Sequence, residues 1–183
     1  MRNIFYFCIG VALCLLTACS SQKRGDDSDI QVLMKDSVDA NGLQRMQVSD
    51  IKTTFTYRGK DYQSKVVRRP DDHLPIVTNE EGEKFVDNSI SLRLTSGGKT
   101  IVDKVFTKGD FASLVDAKYM KQFILEGLVY DKTTPKGIVY AGCFGYPPTG
   151  LYIPLSVTIK TEGKITMMKE ELLEDLHPTD SMN

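Results

Sequence analysis

The chain has 183 residues, enough for one ordinary domain and too few for two. Its 23 Lys+Arg against 24 Asp+Glu give a formal charge of −1, which argues against a nucleic-acid binder working through a strongly basic field. Hydrophobic residues at 41% and charged residues at 26% fit a packed core and exclude wholesale disorder.

The N-terminus reads as an address. Arg2 is the only charge in residues 1–18, and Ile4 to Leu16 is an almost unbroken apolar run. The run is shorter than the roughly 20 apolar residues that cross a bilayer as a helix. A basic start, a short apolar middle and small residues after it make a signal peptide. Leu16-Thr17-Ala18-Cys19 matches the lipobox of bacterial lipoproteins: an aliphatic residue, two small residues, then the cysteine. The plainer alternative is an ordinary secretory signal with a chance cysteine. On the lipobox reading Cys19 becomes the first residue of the mature chain and carries a diacylglycerol. Two or more acyl chains, at about 0.8 kcal/mol per buried CH₂, hold a protein stably on a membrane where one does not.

Loss of residues 1–18 removes one Arg and no acid, leaving 22 Lys+Arg against 24 Asp+Glu, a net charge of −2. Cys8 and Cys14 leave with the signal and Cys19 is lipidated, so only Cys143 remains as a thiol. No internal disulfide is then available, and stability must come from the core. Residues 19–29 lack an apolar side chain after Cys19 and read as a tether. Ser20, in place of Asp after the cysteine, favours the outer membrane over retention at the inner one. The acids that follow begin seven residues after Cys19, behind Lys23 and Arg24, and leave the choice of leaflet open.

Residues 30–176 form the expected single domain, with 177–183 as a tail. Its punctuation is that of an antiparallel β protein. Thr53–Tyr57 and Tyr62–Val67 flank Arg58-Gly59-Lys60-Asp61. A long segment, 68–87, is mostly loop, with a small hairpin of Ile76-Val77-Thr78 against Phe85-Val86. Ser89–Thr95 and Thr100–Phe106 flank Ser96-Gly97-Gly98-Lys99, and Ile90, Leu92 and Leu94 alternate with polar residues. Period two with one apolar face places one side on a core and the other in water.

A helix is expected from Asp110 to about Lys121, with Asp110 as its cap and Phe111, Leu114 and Val115 on one face. Phe123–Tyr130 and Gly137–Phe144 form a third hairpin, and the first of these strands, apolar on both faces apart from Glu126, is expected to be central. Leu151–Lys160 and Lys164–Met168 form a fourth, with Pro154 expected to delay its first strand or hold it at an edge. Lys169–Leu176 offers a second short helix stopped by Pro178. The fold class is all-β or mostly β: an antiparallel meander of about eight strands as a sandwich or small barrel, with one short helix near 110–121.

Several phrases taken in order carry a resemblance. They are Tyr57-Arg58-Gly59-Lys60-Asp61-Tyr62, Arg69-Pro70-Asp71-Asp72-His73-Leu74-Pro75, Asp87-Asn88-Ser89-Ile90-Ser91-Leu92, Phe106-Thr107-Lys108-Gly109-Asp110-Phe111 and Ile124-Leu125-Glu126-Gly127-Leu128. Over about residues 29–168 the chain resembles a family of small secreted lipoproteins of gut-type anaerobic bacteria, known as a domain of unknown function. The resemblance implies a lipid-anchored, mostly β envelope protein and transfers no activity or site residue.

Chemistry-bearing residues are few. His73 and His177 stand 104 positions apart with no second histidine or cysteine at ligand spacing, so no transition-metal site and no cofactor is expected. His73 is a weak candidate contact residue, and an exposed loop position is its plainer reading. Cys143 with His73 could form a nucleophile pair, whereas a lone thiol is more often a small buried residue. Asp71-Asp72 and Asp87-Asn88 supply oxygens suited to calcium but match no calcium-loop spacing; turn and cap roles are the plainer reading. Lys65, Arg68 and Arg69 next to Asp71-Asp72 read as a self-neutralising surface.

The aromatic loop at 142–152 is the main candidate. Phe144, Tyr146 and Tyr152 cluster around Gly145, Pro147, Pro148 and Gly150 and are possible ligand contacts, for a sugar face or a partner protein. Their plainer reading is strand-end core for Phe144 and Tyr152 and a lid for Tyr146. The expected function is a lipid-anchored, non-enzymatic binding domain of the cell envelope. The alternative is a glycan-capture module or accessory enzyme of an envelope uptake system using the same loop. The expected partners are a membrane, through the lipid, and an unknown protein or glycan, with no nucleic acid.

Overall fold

The computed structural model describes residues 38–171. The expected signal segment, Cys19, the expected tether and the expected tail lie outside the described residues. The elements run β1 (Leu43–Gln44), β2 (Ser49–Tyr57), β3 (Lys60–Pro70), β4 (Val77–Thr78), β5 (Lys84–Phe85), β6 (Asn88–Ser96) and β7 (Lys99–Phe106). A 3₁₀ turn (Lys108–Phe111) and helix α1 (Ala117–Gln122) lead to β8 (Ile124–Thr134), β9 (Gly137–Gly145), β10 (Tyr152–Ile159) and β11 (Ile165–Lys169).

All four main hairpins form as the turn signals imply. Arg58 and Gly59, with φ of 52° and 70°, make a two-residue turn that pairs Tyr57 with Lys60. Both positive φ values match the right-handed twist of the strands they join. The strands associate as two four-stranded antiparallel sheets, β2-β3-β6-β7 and β11-β10-β9-β8. A small third sheet, β1-β5-β4, pairs β1 with β5 in parallel and β5 with β4 antiparallel. Neither large sheet closes on itself, so the fold is a sandwich and not a barrel.

The core lies between the two large sheets. Val66, Leu92 and Leu94 from one sheet and Leu128, Ile138, Tyr140 and Val157 from the other belong to one buried cluster. Their alternation puts Arg93 in solvent beside a fully buried Leu92. Polar groups also bridge the sheets. Tyr140 Oη donates to Ser64 Oγ at 2.9 Å, both residues being buried. Asp87 Oδ1 accepts from Leu125 N at 2.8 Å, and Asn88 Nδ2 donates to Leu125 O at 3.0 Å. Lys108 Nζ lies 3.0 Å from the buried Asp87 carboxylate.

Four expectations are corrected. β8 is an edge strand, not a central one. Its edge is covered by side chains instead of a strand: Asp87 and Asn88 take the Leu125 backbone, Arg68 Nη1 donates to Glu126 O at 2.8 Å, and Ile124 packs with Met46, Val77 and Phe85. The helix expected over 110–121 is split, because Asp110 belongs to a 3₁₀ turn. Its carboxylate accepts from Thr107 N at 2.8 Å and pairs with Lys104, so it closes the turn behind it, and α1 begins only after Asp116. Lys169 belongs to β11, and most of the second suggested helix lies outside the described residues. Asp71-Asp72 do not neutralise the basic cluster: Lys65 pairs with Asp50, and Asp72 with Arg45.

Pro154 resolves both ways. β10 is internal, pairing with β9 from Tyr152 onward, but it meets β11 only from Leu155. Glu170 N donates to Pro154 O, so the missing Pro154 donor faces the end of β11, where its loss is harmless.

Candidate functional site at one end of the second sheet

Two segments far apart in the chain meet at the end of the sandwich where β9 turns into β10. The first is the β4–β5 hairpin. Its turn is tied by Asn79, whose Oδ1 accepts from Glu83 N at 2.9 Å and whose Nδ2 donates to Glu83 Oε2 at 2.9 Å. The second is the loop Tyr146–Leu151. Tyr146 N donates to Leu151 O at 2.8 Å, and Thr149 N and Oγ1 both donate to Tyr146 O, at 2.9 and 2.7 Å. Asn79 Nδ2 also donates to Pro147 O at 3.3 Å, and Glu80 N donates to Tyr146 Oη at 3.1 Å. The loop is therefore held internally and pinned to the hairpin.

Each aromatic candidate has a distinct place. Phe144 is fully buried and meets Phe111 edge-on at 5.8 Å, so it is core and offers no ring face to a ligand. Tyr146 is half-buried, with its ring 5.3 Å from Phe123, as a lid on the main cluster. Tyr152 is 48% exposed and stands opposite Gly145 on the outer face of the sheet. His73 is exposed in the turn after β3, its backbone N–H donated to Asp71 Oδ1 at 3.1 Å. No hydrogen bond or ring contact among the described residues joins it to the rim. The structure thus unites Tyr146 and Tyr152 and leaves Phe144 and His73 elsewhere.

The residue that sequence reasoning passed over is Glu126. It is the extra residue of a bulge in β8: Leu125 pairs with Phe144 and Gly127 with Cys143, leaving Glu126 unpaired in the register. A bulge re-aims a side chain, and here the carboxylate lies over the Cα of Gly145. A Cβ at position 145 would meet Glu126 Oε2, so with any other residue there the carboxylate would have to move aside. The Glu126 carboxylate, Ile124, Gly145 and the Tyr146–Thr149 loop line a notch of about 10 Å³. The only sign of Glu126 in the sequence was a single acid inside an otherwise apolar strand.

Burial pushes the Glu126 carboxyl above its ordinary value, and the nearby Arg68 charge draws it back only in part. Among the described residues no group donates a hydrogen bond to this carboxylate. Arg68 is turned to carbonyls instead, Nη1 to Glu126 O and Nη2 to Gln47 O. Cys143, on the same outer face, has its thiol pushed up to about 12, first by burial and then by the Glu126 charge. It is neutral at physiological pH and is not the activated thiolate that nucleophilic chemistry needs. The acids weighed for calcium are committed to structure: Asp71 caps a turn, Asp72 pairs with Arg45, and Asp87 pairs with Lys108. Among the described residues no cluster of three or more His, Cys, Asp or Glu gathers at ligand distance.

A family model described as a domain of unknown function, DUF4738, matches residues 28–167, close to the 29–168 span given to the resemblance. Among curated proteins none matches the chain.

Proposed function

The chain belongs to this family of domains of unknown function, and from that premise and its own residues we propose that it is a lipid-anchored protein of the bacterial cell envelope. Its β-sandwich serves there as a binding module. The observation that carries the reading is Leu16-Thr17-Ala18-Cys19 at the end of a short apolar run with one basic residue before it. The polar stretch that follows gives reach between membrane and domain, and Ser20 directs the protein to the outer membrane. The ordered phrases shared with small lipoproteins of gut-type anaerobes add to the same reading. A binding role is supported by what meets at the rim: an internally tied loop, a carboxylate that no described group donates to, and an exposed tyrosine.

Cys19→Ala tests the anchor. Metabolic labelling with a fatty acid, with the mass of the mature N-terminus, should show acylation at Cys19 in the wild type and none in the variant. Equal labelling of both would end the lipoprotein reading.

One observation favours a second reading, capture of a glycan. The segment 70–88 and the loop 142–152 meet at a single rim, beside exposed Tyr152 and a carboxylate able to accept sugar hydroxyls.

A further inference from the structure

The binding-module reading leaves open what the rim binds, and the geometry there is selective. The notch of about 10 Å³ has the size of one water molecule. A primary ammonium, with a radius close to that of water, matches that space. The notch presents one charge, the Glu126 carboxylate, and among the described residues nothing donates to it. Its remaining walls are Ile124, Gly145 and the Tyr146–Thr149 loop. On the next strand Tyr152 stands opposite Gly145 with its ring half in solvent, next to Leu151, which is 65% exposed. An aromatic face and an aliphatic side chain beside a carboxylate suit a cationic head on an apolar stem. Of the nearby charges, the Arg68 guanidinium is turned to the Glu126 and Gln47 carbonyls, and Glu80 and Glu83 lie on the hairpin that holds the loop.

We propose that the Glu126 notch is a recognition site for a primary alkylammonium group, seated on the carboxylate with its methylene stem along Tyr152. The lysine side chain of a partner protein and a free aliphatic diamine share this chemistry. The proposal rests on the binding-module reading but not on the anchor, so failure of one is distinguishable from failure of the other.

The features of the site fit together. The bulge in β8 puts the carboxylate on the outer face, Gly145 leaves the space it occupies, and the hairpin bonds hold Tyr146 and Pro147 as a fixed wall. A site fixed in advance loses less freedom on binding.

The test uses the full chain, ¹⁵N-labelled and purified in mild detergent, followed through its Gly145 and Tyr146 amide signals. Four probes are added separately: the peptide acetyl-Gly-Lys-Gly-amide, the same peptide with norleucine in place of lysine, 1,5-diaminopentane, and maltohexaose. The expected result is saturable shifts with the lysine peptide or the diamine, and none with norleucine. Glu126→Gln should weaken the response at least about tenfold, the scale of one lost charge-assisted hydrogen bond. The relative strength of peptide and diamine identifies the source of the amine. Equal binding by wild type and Glu126→Gln, or by lysine and norleucine, would overturn the proposal. So would the absence of saturation with any amine, which would leave the notch a water site. Shifts with maltohexaose alone would overturn it in favour of glycan capture. If Glu126→Gln does not fold, the wild type decides: amine binding must fall as acidification protonates the carboxylate, and binding independent of pH refutes the site.

Discussion

Glu126 carries a cost that its neighbours do not offset. Its carboxyl is raised above the ordinary value of 4.5 because burial penalises the charge, and Arg68 returns only part of that. A raised carboxyl means that the folded protein holds a proton that the unfolded chain has released. The group is neutral and harmless below 4.5, and its burden builds as pH rises from 4.5 to the folded-state value and is full above it. Glu126→Gln removes the charge and keeps the shape. The variant should therefore melt higher than the wild type near neutral pH, and the gain should fade as the pH falls toward 4.5 and be lost below it. Thermal melts across pH decide this; a variant less stable at neutrality would show that the carboxylate is well satisfied. A residue kept at a cost to stability fits a binding role. At this scale the sequence showed residue types without their surroundings. Phe144, Tyr146 and Tyr152 look alike in the chain, yet one is core, one a lid and one an exposed ring.

At the scale of elements, the loop Tyr146–Leu151 behaves as a small folded unit. It is closed by its own backbone and threonine bonds and clamped to the β4–β5 turn. Tyr146 joins that unit to the core, since its ring covers Phe123 and its hydroxyl accepts from Glu80 N. Tyr146→Ala should lower stability by about 1–3 kcal/mol, combining lost ring burial with a lost hydrogen bond. Chemical denaturation measures it, and an unchanged midpoint would show that the ring is no lid. The hairpins were readable because turn residues and period-two alternation are local signals. The status of β8 was not. Apolar residues on both faces report burial, and burial can come from a covering loop and cross-sheet side chains as well as from two flanking strands. The split helix has a similar origin. Helical spacing of Phe111, Leu114 and Val115 was real, but Asp110 was already engaged with Thr107 and Lys104.

For the whole molecule the sandwich depends on polar links as well as apolar filling. Tyr140 and Ser64 face each other across the core, 2.9 Å apart and both buried. Tyr140→Phe leaves the serine hydroxyl without its donor and should cost about 1–2 kcal/mol. Ser64→Ala should cost a similar amount, and the double variant less than the two together, by about 1 kcal/mol of coupling. Additive effects in denaturant titrations would mean that the hydroxyls act independently. The Asp87–Asn88 pair, held by Lys108, joins β6 to the backbone of β8 and so fixes how the second sheet sits on the first.

The amino-acid sequence by itself determined the mostly β class, the four hairpins and the small Val77–Phe85 pairing. These rest on interactions between near neighbours, where side-chain period and turn chemistry act directly. It also carries Leu16-Thr17-Ala18-Cys19, the linear motif on which the proposed anchor rests. The tertiary structure decided sandwich over barrel, since closure depends on which edges meet, and no local pattern encodes that. It decided the edge position of β8 and the division of labour among the aromatics. It also brought the 70–88 and 142–152 segments to one rim and set the Glu126 carboxylate over Gly145. Those groups lie far apart along the chain or hang on a single-residue bulge. Packing two sheets against each other sets their geometry, and a one-dimensional pattern does not carry it.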